Sequence, residues 1–178
     1  MNNSPFSLAT LLLLLGPVDS AQQPYAGQEA RPIKALSTAR LEGLRAGAGL
    51  GYAKAAELNG WPGPLHALEL ADELALSADQ RTQLEALRAQ MLAEARPLGA
   101  ALIEAEATLE RLFNTPHPSP EAVEESTARI ADLEGQLRAV HLVAHLRTKP
   151  VLSPHQRHRY AQLRGYGQGG HSRHQGHH

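Results

Sequence analysis

The sequence predicts an all-α protein, a long antiparallel helical hairpin with short flanking helices, and three observations lead there. Ala, Leu, Glu, Gln and Arg dominate while aromatic residues make up only 4% of the 178-residue chain, which is the vocabulary of long helices rather than of a compact aromatic core. Apolar residues recur at spacings of three and four along two long segments. Between these segments stands NTPHPSP, with three prolines in seven residues, which must break the chain.

The elements follow in order. MNNSPFSLATLLLLLGPVDSAQQ joins a polar start to an apolar run from Phe6 to Leu15, with small residues at Val18 and Ser20. It reads as a secretory signal peptide over residues 1–20, cleaved before Ala21. The apolar run is about half of the ~20 residues that span a bilayer, so no stable membrane insertion is expected. Residues 21–35 read as a flexible lead, 36–166 as the helical domain, and 167–178, GQGGHSRHQGHH, as a disordered His-rich tail. The chain has no cysteine, which removes disulfides, thiolate metal ligation and lipid attachment through an N-terminal Cys. A soluble, exported chain of this kind is expected in the periplasm.

Within the domain, Ser37 suits a helix N-cap and Gly47 a stop, with Leu41 and Leu44 on one face. The Gly-rich stretch that follows lacks both a preceding strand and a Gly-Lys-Ser/Thr close, so it reads as a bend at Gly47–Gly51 and not as a phosphate cradle. A turn or two of helix is expected from Tyr52 to Leu58, ending at Asn59-Gly60. PLHALELADELAL reads as a short helix with Pro64 in its first turn and Leu65, Leu68 and Leu74 apolar. Leu84, Leu87, Met91, Ala95, Leu98, Leu102, Leu109 and Phe113 then mark a helix of about 50 Å. Pro97 should kink it without stopping it, because the stripe continues in phase. Val123, Ile130, Leu133, Leu137, Val140 and Ala144 mark the returning helix, from Glu121 to about Arg147. Neither helix can bury its stripe alone, so the two pack together.

Charge is uneven along the chain. From His66 to Gly135 there are fourteen acidic and five basic side chains, and from Arg138 onward seven basic and no acidic ones. This asymmetry favours chain-to-chain pairing or an acidic partner. Nucleic acid is not expected, because the basic segment lacks interleaved aromatic platforms.

Two stretches match. Leu76-Ser77-Ala78-Asp79-Gln80-Arg81 recurs as Leu152-Ser153-Pro154-His155-Gln156-Arg157. In each, the Ser hydroxyl can accept from the N3 amide while the Gln side chain reaches back to the Ser amide, a capping box. The match continues beyond the cap, pairing Leu84 with Tyr160, Leu87 with Leu163 and Arg88 with Arg164. A shared apolar face implies a shared packing environment, and a helix out followed by a helix back would bring Gln80 and Gln156 together.

The pair of Leu-Ser-x-x-Gln copies resembles the Leu-Thr-x-x-Gln motif of the Spy/CpxP family of periplasmic stress proteins, which has zinc-binding and nickel/cobalt-sensing relatives. The resemblance covers about Pro64 to Tyr166, with Ser in place of Thr in both copies. It implies a cradle-shaped antiparallel homodimer acting without ATP as a chaperone for unfolded periplasmic clients, or modulating a membrane stress sensor. The alternative it implies is a heavy-metal sensor or metal-resistance protein. The segment AKAAELNGWPGP lies outside the motif and has no reading at this level.

His141 and His145 stand one helical turn apart, a spacing that can offer two ligands to Zn, Ni, Co or Cu. His66 with Glu69, or His155 and His158, could add others. The competing reading is that the pair flanks a polar edge or hydrogen-bonds carboxylates of the acidic first long helix, and the want of further ligands favours it. His171, His174, His177 and His178 form a Gly-spaced tract of the kind that binds transition metals adaptably. No nucleophile–base pair or carboxylate constellation suggests an enzyme.

Overall fold

A computed structural model describes residues 23–166. The expected signal peptide and His-rich tail lie outside the described residues. By its internal contacts the chain divides into two units, Met1–Ala30 and Arg31–His178. The described part of the first unit is a pair of overlapping turns, in which the Ala26 and Gln28 amides donate to the Gln23 and Tyr25 carbonyls at 3.0 Å.

The second unit has helices joined by turns and no strand among its described residues. Helix α1 spans Thr38–Ala46, α2 Lys54–Glu57, α3 Pro64–Glu69, α4 Ala78–Phe113, α5 Pro120–Thr148 and α6 Pro154–Leu163, with a 3-10 turn at Lys149–Val151 before α6. Helices α4 and α5 form the hairpin. Helix α4 runs 36 residues without interruption through Pro97, a length of about 54 Å. Ser119 caps α5 by accepting from the Ala122 amide at 3.2 Å, and Pro120 occupies the first helical position, where no amide is needed. No described helix is long and apolar enough to cross a membrane.

The interior comprises two clusters. At mid-hairpin, Leu44 of α1 and Tyr52 pack on Ala95, Leu102 and Ala105 of α4 and on Leu133 and Leu137 of α5. Ile33 and Leu36 belong to the same cluster, so residues 31–35, which composition assigns to the flexible lead, contribute to the core. At the other end, Ala67, Ala71, Leu74 and Leu76 pack with Leu84, Leu152 and Tyr160.

Helix α3 is shorter than the sequence suggests, and the chain goes on from Leu70 in turns, reaching φ +48° at Ala75 before the first motif copy. Its buried face is Ala67, with Ala71 and Leu74 beyond it, while Leu65 is 40% exposed. Leu68 packs partly against the same cluster. Phe113, the last residue of α4, is also exposed.

Gly99 sets how closely α1 approaches α4. A Cβ built there would lie 2.2 Å from the Leu44 carbonyl oxygen, a backbone atom that cannot swing aside. Gly99→Ala gains helix propensity, up to about 1 kcal/mol, yet overpacking at such a contact costs ~1–3 kcal/mol. The clash should win, and thermal unfolding should show a lowered Tm. An unchanged or raised Tm would mean that α1 can move away freely.

Candidate functional site

An open cavity of about 510 Å³ lies between the 49–66 segment and α5, with Tyr166 in its wall. Its polar lining includes Glu57, His66, His141 and His145.

His141 and His145 are 3% and 9% exposed, so the expectation of a polar edge is corrected. Nor do they bond the carboxylates of α4. The His141 ring stacks on Tyr52, with centroids 5.7 Å apart and planes 15° from parallel. Arg40 steadies that platform by donating at 2.8 Å to both the Tyr52 hydroxyl and Glu134. His141 Nε2 is buried without a hydrogen-bond partner. Burial first, and then the nearness of His145, lowers its pKa below the ordinary histidine value.

His145 Nδ1 lies 2.7 Å from the Trp61 carbonyl oxygen. A carbonyl oxygen only accepts, so Nδ1 carries the proton, and in the neutral ring Nε2 keeps the lone pair. His66 shows the same arrangement, with its Nδ1 2.8 Å from Glu69 Oε2. An Nδ1–H held by a carbonyl or carboxylate is the usual way a protein orients an imidazole that ligates metal through Nε2. Gly63 packs on the His145 ring so tightly that a Cβ there would sit 2.6 Å from Nε2. Lys149 Nζ lies 3.5 Å from the centre of the Trp61 ring and secures the far side of this loop.

Glu57 is the residue that sequence reasoning missed. It is buried, and its Oε1 accepts hydrogen bonds from the Tyr160 hydroxyl and, at 3.2 Å, from the Tyr166 hydroxyl. Arg164 Nε stands 3.4 Å from Oε1, and His145 Nδ1 3.6 Å from Oε2. Burial and then the bond to Glu57 hold the Tyr160 phenol well above its ordinary pKa, so it acts as the donor. A signal was present, because Tyr160 replaces the matched Leu84 at a buried position and a buried tyrosine hydroxyl needs a partner.

The motif residues do come together. Both capping boxes are formed, at Ser77 and Ser153. Gln80 Nε2 donates to Gln156 Oε1 at 2.8 Å, and Gln156 Nε2 returns a bond to Gln80 Oε1 at 2.9 Å. Leu76 and Leu152 lie in the same cluster, as do Leu84 and Tyr160. The arginines diverge, with Arg81 bonding Asp72 at 2.7 Å and Arg157 bonding the Leu152 carbonyl at 2.8 Å. His155 and His158 are exposed on α6 and do not line the cavity. Glu69 reaches it only through His66. His171, His174, His177 and His178 lie outside the described residues.

The histidines fit a transition metal in donor type but not in arrangement, since no three His, Asp or Glu groups among the described residues are placed to hold an ion. Fold and site together define a helical-hairpin protein with a histidine-lined cleft. A family model described as heavy-metal resistance matches residues 43–159, about two-thirds of the chain. The chain belongs to the heavy-metal resistance family, a Spy/CpxP-like helical group. No curated protein and no solved structure matches it.

Proposed function

We propose that this is an exported heavy-metal resistance or sensing protein that takes up a divalent transition metal, from the group Zn, Ni, Co and Cu, at the His141–His145 cleft. The observation that bears most weight is the buried, unpartnered Nε2 of His141 beside two imidazoles whose Nδ1 protons are already committed. The family match supports the same reading. It gives no support to the binding of unfolded clients, which the resemblance had placed first. The reading is of a binding protein and not an enzyme.

Within this proposal the two Leu-Ser-x-x-Gln copies are variants of the Leu-Thr-x-x-Gln motif, and the protein works in the periplasm with a membrane sensor as its partner in a sensing role. Within the same proposal the chain pairs into a homodimer.

Calorimetric titration of the full mature chain with Ni²⁺ and Zn²⁺ tests the metal reading. His141→Ala should weaken binding by at least about 10-fold, the lower end of what is lost even when only a ligand's supporting partner is removed. Circular dichroism checks that the variant is folded. Unchanged affinity in a folded His141→Ala protein would move the metal away from the cleft.

A further inference from the structure

We propose that the cleft between the 49–66 segment and α5 binds a small, uncharged aromatic molecule that carries a hydroxyl group. The hydroxyl sits on His145 Nε2 and the ring system lies among apolar side chains. This goes beyond the metal-handling reading and does not rest on it, because it uses the walls of the cavity and one fixed imidazole rather than a set of metal ligands.

The apolar walls come from several elements. Leu50 of the bend after α1, Leu58 at the end of α2, Pro64 and Leu65 of α3, and Met91 of α4 all line the cavity. Leu58 and Leu65 are 58% and 40% exposed, so two of these side chains leave apolar surface uncovered at one place. Leu50 is held at φ +43°, a backbone region that a leucine seldom takes and that is over-represented at ligand sites. Its side chain wedges against Gly43, where a Cβ would meet it at 2.5 Å. The packing that holds the strain therefore also fixes this part of the wall.

The polar part is an imidazole in a set tautomer. Both polar contacts of His145 among the described residues, to Trp61 and Glu57, are made by Nδ1, which leaves Nε2 as an acceptor. Gly63 lines the same cavity and keeps the space beside that nitrogen clear, since a Cβ there would lie 2.6 Å from it. His141, one turn away in the same lining, also has its Nε2 without a partner. A hydroxyl both donates and accepts, so it suits this pair of rings. A carboxylate is disfavoured by Glu57, whose Oε2 stands 3.6 Å from the His145 ring, and an ammonium by Lys54, which lines the cavity.

The remaining features set the body of the molecule. The Met91 thioether and the Tyr166 ring both line the cavity, and sulfur–aromatic and ring–ring contacts favour a flat, polarisable partner. A volume of about 510 Å³ falls within the roughly 300–1,000 Å³ of small-molecule sites. Two fused rings and a hydroxyl fit in it.

2-Naphthol supplies this chemistry, and 2-methoxynaphthalene has the same ring system without the donor. Both are titrated into the full mature chain by calorimetry with EDTA present throughout, so the outcome is independent of any metal. 2-Naphthol should bind at one site per chain and 2-methoxynaphthalene at least about 10-fold more weakly, because the imidazole is left without a partner. His145→Phe keeps an aromatic ring but has no lone pair, so it should erase that difference. Leu65→Trp, at a partly exposed position that tolerates a larger side chain, should fill the cavity and weaken both compounds alike. Failure of wild type to bind 2-naphthol overturns the inference. Equal affinities for the two compounds overturn it as well, because the cleft is then an unselective apolar surface. So does a difference that persists in folded His145→Phe, or binding that survives Leu65→Trp, which places the compounds elsewhere. Should circular dichroism show that His145→Phe is unfolded, the two compounds on wild type and on Leu65→Trp still decide.

Discussion

Gln80→Ala is expected to destabilise the fold by ~2–4 kcal/mol, Gln156→Ala by a similar amount, and the two together by clearly less than their sum. Each amide has its hydrogen-bonding positions filled. Gln80 Oε1 accepts from the Ser77 amide at 3.1 Å and from Gln156, while its Nε2 donates to the Val151 carbonyl at 2.8 Å and to Gln156. Gln156 mirrors this, accepting from the Ser153 amide at 2.9 Å and donating to the Leu74 carbonyl at 3.2 Å. Loss of either side chain removes one half of a capping box, the bond that the Gln accepts from the Ser amide, about 0.5–1.5 kcal/mol. It also leaves a partly buried amide and a carbonyl unpaired, about 1–3 kcal/mol for an unsatisfied group. Removing both spares the second amide that penalty, so a double-mutant cycle should return a coupling energy of ~1–2 kcal/mol. Gln80→Glu separates capping from pairing, because it keeps the acceptor for Ser77 but sets a carboxylate oxygen against the Val151 carbonyl. It should unfold nearly as readily as the alanine variant. Urea denaturation measures all four proteins, and additive single effects, or losses below about 0.5 kcal/mol, would reduce the repeated motif to two independent caps.

That pairing was legible in the sequence because the matched residues extend past the cap to Leu84 and Tyr160, and matched faces require matched surroundings. The hairpin was legible for a related reason. Periodicity over 36 and 29 residues is a signal that no local exception can mask, and NTPHPSP leaves little choice over where the chain turns. Glu57 and the loop around Trp61 were not legible. Helix α2 has only four residues, too few for any period to register, and Pro62 to Pro64 has no repeating pattern. What fixes that loop is tertiary: the Trp61 carbonyl on His145, the Lys149 ammonium over the indole, and a glycine where the imidazole leaves no room for a side chain. The histidines were misread for the same reason. Judged on α5 alone, His141 and His145 suit a polar edge, and only the segment from Tyr52 to Gly63 covers them. On the segment from Pro64 the expected leucines are borne out at Leu74, which is buried, and in part at Leu68, while Leu65 is exposed.

Glu57→Ala should cost ~3 kcal/mol, the lower end of the 3–5 kcal/mol range for breaking a buried charged pair, because Arg164 is 30% exposed and water can partly solvate it. The carboxylate binds three elements to one point: α2 through its own backbone, α6 through Tyr160, and the turn after α6 through Arg164 and Tyr166. Without it, the Tyr160 hydroxyl is left in a site where that residue is only 3% exposed, and Arg164 Nε, already without a hydrogen-bond partner, loses its counter-charge. Glu57→Gln keeps the shape and should be milder, but not neutral. Whichever way the amide sits, its NH₂ group meets a donor, either Arg164 Nε–H beside Oε1 or His145 Nδ1–H beside Oε2. Urea denaturation gives the size of the loss, and hydrogen exchange gives its location. Amides of α6 and of Gly165 and Tyr166 should exchange faster in Glu57→Gln, while those at the centre of α4 should not. If both regions speed up equally, the loss is global and Glu57 is merely part of the core. If neither changes and stability falls by less than about 1 kcal/mol, the buried carboxylate does not hold α6 and the turn after it in place.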